Sequence, residues 1–247
     1  MKQKYVATIE ARMTSSRLPG KVLMPILGRP ILGYLIDRLK SVSSIDEIVL
    51  ATTVNPMDDP LVIFAESEGI FVHRGSEDDV LGRVIESAKS RNADVIVQIT
   101  GDCPIIDPDI IEQCIRMYKF NSAKYVGNAH IRSYPDGMDV QVFAFSDLVL
   151  SGSMTQDRLD REHVSLHMRN NPDIFPHLNL VAPPSLHWPE LGLTLDERED
   201  FELLKSIIEY FHKESKQSFS CLDVIRYLRA NPHLEETNKK IKRKGDS

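Results

Sequence analysis

Four short runs rich in Val, Ile and Thr ("YVATIE", "EIVLATT", "GIFVHR" and "DVIVQIT") recur within the first hundred residues, separated by stretches of helical period. "PILGYLIDRLK" sets Ile31, Leu32, Leu35, Ile36 and Leu39 on one helical face. "DPDIIEQCIRMYKF" does the same with Ile110, Ile111, Cys114, Ile115 and Tyr118. A strand with one wet face alternates apolar and polar residues; runs that are apolar almost throughout belong to strands covered on both sides. The pattern therefore predicts an α/β fold: a mostly parallel sheet with helices on both faces. In such sheets ligands bind beyond the carboxyl ends of the strands. The loops that follow "VATIE" and "VQIT" are the first places to look for chemistry.

The second half reads differently. "YPDGMDVQVFAF" predicts a turn at Asp136-Gly137 feeding an alternating strand, and "TQDRLDREHVSLHMRN" a polar helix. "NPDIFPHLNLVAPPSLHWPELG" is proline-punctuated and irregular. A long helix is expected after Asp196, carrying Phe201, Leu204, Ile207, Ile208 and Phe211, and another over "LDVIRYLRAN". "KKIKRKGDS" reads as a solvated tail. No internal repeat or low-complexity linker stands out. The expected organisation is one main domain over residues 1–216 and a helical extension with a basic tail over 217–247.

Composition matters here for what it removes. A chain of 247 residues with 42% hydrophobic and 27% charged content is neither disordered nor fibrous. A net charge of −6 argues against a general nucleic-acid binder, which carries a basic field. Three cysteines with no C-x-x-C spacing predict neither a disulfide framework nor a zinc site, and fit a reducing cytoplasm. The N-terminal apolar run is too short for a signal peptide, and no segment approaches a membrane span. The expectation is a cytoplasmic protein without membrane or nucleic-acid partners.

Against that acidic background, "ARMTSSRLPGK" places Arg12, Arg17 and Lys21 in one loop directly after the first strand. Ser15 and Ser16 add hydroxyls, and Pro19-Gly20 a sharp bend that lets backbone approach a ligand. It is not a P-loop: Ser15 stands where the first Gly belongs, and Val22 follows Lys21 instead of Ser or Thr. Its composition still suits a polyphosphate. "VQITGDCPIIDPD" supplies the counterpart, with Thr100 and Asp102 at the end of another strand. A carboxylate facing bound phosphates needs a divalent cation between them, and Mg²⁺ takes one or two carboxylates plus phosphate oxygens. Asp196, in "LGLTLDERED", is expected to follow another short strand and either caps the next helix or completes a metal pair with Asp102. Asp107, Asp109, Glu77, Asp78 and Asp79 read as charges at helix starts. Arg74, after the third run, is expected on the same face as Asp102, within reach of a base or ribose. His163 and His167 lack the Glu of H-E-x-x-H, and neither G-x-S-x-G nor G-x-G-x-x-G is present.

Taken in order, "TSSRLPGKVL", "HRGSEDDVLGR", "TGDCPIIDPD", "YPDGMDVQVF", "REHVSLHM" and "LTLDEREDFEL" make the chain recognisable. "ARMTSSRLPGKVLMPILGRPIL" resembles the N-terminal signature of sugar nucleotidyltransferases, especially the cytidylyltransferases that make CMP-activated acidic sugars. The six motifs together resemble the spore coat polysaccharide biosynthesis branch of that superfamily. The resemblance implies a Rossmann-like nucleotide-diphospho-sugar transferase fold. It also implies triphosphate-binding roles for Arg12, Arg17 and Lys21, metal-binding roles for Asp102 and Asp196, and a nucleotide contact for Arg74. Two departures stand out: Val22 replaces the Asn of the Pro-Gly-Lys-Asn seen in sialic-acid relatives, removing its base contact, and Arg29 replaces the Lys of a common Gly-Lys-Pro.

The motifs and the resemblance together lead to the expectation of a Mg²⁺-dependent enzyme that moves CMP from CTP to a sugar or small phosphorylated acceptor. Lys21, Arg12 and Asp102 would be catalytic; Arg12, Ser15, Arg17, Lys21, Arg74 and Thr100 would hold the nucleotide. Asp136, Asp139, Glu162 and His163 would face the acceptor. A homodimer is implied, with contacts and acceptor binding in residues 130–190. The rival readings are a non-catalytic nucleotide-binding protein and a glycosyltransferase; the latter usually shows a D-x-D pair at a strand end, where this chain has "GDCP".

Overall fold

The apolar runs form the centre of one sheet. The computed structural model describes residues 2–216 and 218–241. Its first half runs β1 (Tyr5–Glu10), β2 (Pro25–Ile26), β3 (Arg29–Pro30), α1 (Ile31–Lys40), β4 (Glu47–Thr53), α2 (Asp59–Ser67), β5 (Phe71–Gly75), α3 (Val80–Ser90), β6 (Val95–Thr100) and α4 (Pro108–Lys119). The second half adds β7 (Tyr125–Gly127), β8 (Gln141–Ala144), α5 (Phe145–Met154), α6 (Arg158–Glu162), α7 (Leu166–Asn170), β9 (His177–Asn179), α8 (Arg198–Lys213), α9 (Cys221–Ala230) and α10 (Pro232–Glu235).

Seven strands lie in the order β5-β4-β1-β6-β8-β7-β9, with β5, β4, β1 and β6 parallel. β8 runs antiparallel to both β6 and β7, and β9 is parallel to β7. The expected α/β architecture, a mostly parallel sheet with helices on both faces, is the observed one. Strand alternation divides the core. Ala7, Ile9, Leu50, Val97 and Ile99 face a large cluster with residues of α1, α4, α8 and α9, whereas Val6, Val49, Ala51 and Ile96 face a smaller one under α3 and α5. On that second face β1 and β6 also carry Thr8 and Gln98, both buried, so a polar strip runs beneath α3 toward the carboxyl ends.

The later elements depart from their sequence patterns in places. The polar stretch after Thr155 is two short helices, because Val164 takes a left-handed backbone (φ 44°) between α6 and α7. The apolar run before Asp196 is an extended segment held by a single bridge, Asp136 to Gly192, and by the Leu195 amide donating to the Asp102 carbonyl (2.8 Å). The irregular stretch contains β9.

The C-terminal helix α9 buries Cys221, Val224, Ile225 and Leu228 in the larger cluster. Asp107 ties it in: the carboxylate caps α4 by accepting from the Asp109 amide (2.9 Å) and also accepts from the Cys221 amide at the start of α9 (2.6 Å). Of the basic tail, residues 242–247 lie outside the described residues. No helix among the described residues is long and apolar enough to cross a membrane.

Candidate active site

β1 delivers the chain to the carboxyl edge of the sheet, where it enters the loop from Ala11 to Gly20. The buried Asp58 carboxylate fixes its start by accepting from the Met13 amide (2.7 Å). Gly20 closes its end with a left-handed backbone (φ 72°), its amide donating to the Met13 carbonyl (2.9 Å). That turn directs Lys21 inward, leaving it only 8% exposed. A buried ammonium needs anionic partners, and Lys21 has them. Nζ donates to the Leu195 carbonyl, to Asp196 Oδ1 (3.0 Å) and to Asp102 Oδ2 (3.3 Å). Arg17 Nη2 joins the group from the loop, 2.6 Å from the same Asp196 oxygen. Burial alone would lower the Lys21 pKa, but the two carboxylates outweigh it and raise it.

Asp102 reaches this point because β6 ends one strand from β1 and Gly101 lets the chains approach. A Cβ at Gly101 would stand 2.8 Å from the Glu10 carbonyl. Asp196 arrives at the mouth of α8, whose Asp200 carboxylate accepts from the Asp196 and Glu197 amides (3.0 and 2.9 Å). Asp200 and Glu197 cap α8 reciprocally, so the cap lies one residue beyond Asp196 and leaves its carboxylate for the cluster.

These groups border a cleft of about 260 Å³ lined by Glu10, Arg12, Ser15, Arg17, Lys21, Arg83, Thr100, Asp102, Glu162, His163 and Asp196, among others. Arg12 lies at its outer side, paired with Glu77 (3.3 Å), which also accepts from Thr14 Oγ1 (2.5 Å) and Asn55 Nδ2 (3.2 Å). Glu77 is thus a loop anchor and not the helix-start charge its position suggested; Asp79 fills that role by accepting from the Gly82 amide (2.9 Å). Arg161 donates from Nε to the same Asp79 (2.8 Å), holding α6, and with it Glu162 and His163, against α3.

One expected nucleotide contact is held elsewhere, and two expected acceptor residues stand near Asp102 without lining the cleft. Arg74 sits two strands from β1 on β5. Its Nε and Nη2 donate to the Thr53 and Asn55 carbonyls (both 2.8 Å) and its Nη1 to Asp59 (2.6 Å), so it staples the β4–α2 connection instead of reaching the cleft. Asp136 and Asp139 fall outside the cleft lining as well. Burial, and then the neighbouring Asp136, push the Asp139 carboxyl up to about 7, with Asp102 adding to the rise. Conversely, Glu10 and Arg83 line the cleft and went unread in the sequence. The only sign of Glu10 was a lone acid closing an otherwise uncharged strand.

Asp102 and Asp196 both lie within 3.3 Å of one cation, Lys21 Nζ. They present two carboxylates to a common point beside four polar residues of the loop, Arg12, Ser15, Ser16 and Arg17. That donor set fits an oxygen-seeking Mg²⁺ whose remaining ligands are phosphate oxygens and water. Among the described residues no group of three or more His, Cys, Asp and Glu forms a self-sufficient metal cage.

The sequence profile of the cytidylyltransferase family matches residues 6–241, nearly the whole chain. The chain belongs to the cytidylyltransferase family. The spore coat polysaccharide biosynthesis protein SpsF of Bacillus subtilis is 32% identical over 230 residues, covering 91% of this cytidylyltransferase and 93% of the relative. A cytidylyltransferase structure from Leptospira borgpetersenii superposes with a TM-score of 0.90 at 33% identity, over 98% of this chain and 100% of that one. A CMP:2-keto-3-deoxy-manno-octonic acid synthetase complexed with CTP shares the fold, with a TM-score of 0.62 at 18% identity over 84% and 99% of the two chains.

Proposed function

We propose that this cytidylyltransferase uses CTP and Mg²⁺ to transfer CMP to a sugar or small phosphorylated acceptor, releasing pyrophosphate. It does so as a cytoplasmic homodimer serving surface polysaccharide synthesis. The observation that carries the reading is the meeting of Lys21, Arg17, Asp102 and Asp196, residues from three distant parts of the chain, in one cleft at the carboxyl edge of the sheet.

An acceptor oxygen attacks the α-phosphorus in line, the bond from that phosphorus to the β-phosphate oxygen breaks, and pyrophosphate departs. Phosphoryl-type transfers of this kind depend on alignment and on neutralising charge. Arg12, Arg17 and Lys21 are the cations available to the polyphosphate, with Ser15 and Thr100 as hydroxyl partners on the same walls. Lys21 would exchange its carboxylates for phosphate oxygens as Asp102 and Asp196 take the metal. Mg²⁺ bound there supplies charge neutralisation and polarises the reacting phosphoryl oxygens. Glu162 and His163 also line the cleft and would take the acceptor's proton in this reading.

The test is a panel of four nucleoside triphosphates with MgCl₂, run against acidic sugars and small phosphates and read by mass spectrometry. A CMP-linked product with pyrophosphate is expected from CTP and abolished by EDTA. No activated product from any pair, with binding of CTP intact, would leave a nucleotide-binding protein instead.

A further inference from the structure

β1 ends in a carboxyl group beside a cleft built for anions. Glu10 lines the same cleft as Arg12, Arg17 and Lys21, and is half-buried there at the end of an otherwise buried strand. Its hydrogen bonds come from uncharged groups: Gln98 Nε2 donates to one oxygen (3.2 Å) and Thr8 Oγ1 approaches the other (3.4 Å). No salt bridge to Glu10 occurs among the described residues. The cation whose charge acts on it is Arg83 on α3, 4% exposed and itself lining the cleft. Arg83 gives Nε to the Ala51 carbonyl (3.2 Å) and Nη1 to the Ser76 and Glu77 carbonyls, which leaves Nη2 without a protein hydrogen bond among the described residues.

We propose that Glu10 serves the nucleotide cleft as a neutral carboxylic acid, a positioning residue. Its proton keeps negative charge away from the polyphosphate and leaves the Arg83 guanidinium to face the nucleotide. The proposal rests on the nucleotide reading above and adds a protonation state to it.

Three observations support it. A half-buried carboxylate with no ion-pair partner among the described residues is shifted toward its protonated form. Gln98 Oε1, on the same amide whose Nε2 meets Glu10, is buried with no hydrogen-bond partner, so the polar strip around Glu10 lacks a donor that a neutral acid carries and a carboxylate does not. Burial pushes the Glu10 pKa up to about 8, with Gln98, Arg83 and Thr8 pulling against it and Asp102 adding to it.

The charged and titratable groups around it come from every neighbouring element: Arg83 from α3, with Asp58 and Glu77 beyond it; Arg12 from the loop; Asp102 after β6; Glu162 and His163 at the end of α6. Between pH 8 and 9 an ordinary histidine has already lost its proton and ordinary carboxylates are ionised. Lys21 and Cys103 both stand above their usual values. Asp139, raised to about 7 by burial and by Asp136 and Asp102, also loses its proton between pH 7 and 9, so the Glu10→Gln variant is what isolates Glu10.

Above pH 8 the cleft then has to take up one proton as it takes up the nucleotide: carboxylate plus H⁺ gives the acid in the complex. The experiment is calorimetric titration of the full chain with CTP and MgCl₂ at pH 7 and 9, in buffers of differing ionisation enthalpy. CTP is expected to bind the natural protein roughly tenfold more weakly at pH 9, where about one molecule in ten holds the neutral acid, and to take up close to one proton. Glu10→Gln fixes the uncharged form and is expected to remove both the pH dependence and the proton uptake. Equal affinity and no proton uptake in the natural protein at pH 9 would overturn the proposal, and that measurement needs no variant. The same pH profile in Glu10→Gln would overturn it too. Failure of CTP to bind at either pH would instead overturn the nucleotide reading, and this proposal with it.

Discussion

Lys21 shows how one residue's surroundings fix its use. An ammonium 8% exposed and held by two carboxylates is a costly arrangement unless the partners are complete, so removing any member should be felt strongly. Lys21→Ala and Asp102→Asn are each expected to lower turnover by roughly 10²- to 10³-fold, the loss seen when one preorganised charge-stabilising contact is removed. Circular dichroism should show the fold intact; near-natural turnover in either variant would take that residue out of the reaction. Glu10 makes a separate prediction about stability. Its folded pKa is raised, so the stability it contributes is fully present below its unfolded value of 4.5 and is lost as pH rises through about 8. Glu10→Gln should therefore melt higher than the natural protein at pH 9, by roughly a few kcal/mol in stability, and show little difference at pH 5. Arg12, Arg17, Lys21, Asp102 and Asp196 were legible because each stands where a strand or apolar run gives out. Glu10 and Arg83 were not: they meet at the cleft only because α3 packs against the end of β1, which no local spacing encodes.

At the scale of elements, caps and breaks account for most of what the pattern missed. The period of the polar stretch after Thr155 is continuous, yet Val164 at φ 44° divides it, because the chain must turn there to bring α7 under the sheet. Arg74 was misplaced by a similar logic. A strand's carboxyl end is a good address only near the middle of the sheet, and β5 is the outermost strand. Asp107 is the opposite case, a helix-start aspartate whose reading as a cap holds and is doubled, since it also receives the first amide of α9. Each cap of this kind contributes about 1–2 kcal/mol, so Asp107→Ala should lower the melting temperature by roughly 5–15 °C. Differential scanning calorimetry would check it, and a fall of less than about 2 °C would show that α9 is held by its apolar face alone.

Across the whole molecule, the central parallel strands followed directly from four apolar runs, whereas the order β8-β7-β9 did not. Those strands are three or four residues long and depend on pairings with distant partners. The surface they support is uneven. Val149, Leu150 and Met154 on α5 and Leu159 on α6 are 40–58% exposed, an apolar band within the region expected to make the dimer. Leu159→Glu should shift the sedimentation of the protein toward a monomer at low micromolar concentration, and an unaltered profile would place the contact on another face. The cleft itself presents a different kind of surface. Lys21 and Arg17 stand against Asp102 and Asp196, and Arg12 against Glu77, so the three loop cations are already matched on a chain of net charge −6. A guest must offer several negative oxygens at once to compete with these resident acids. A lone phosphate or a spent monophosphate offers fewer, so on the proposed reading the cleft would favour a triphosphate over the smaller anions.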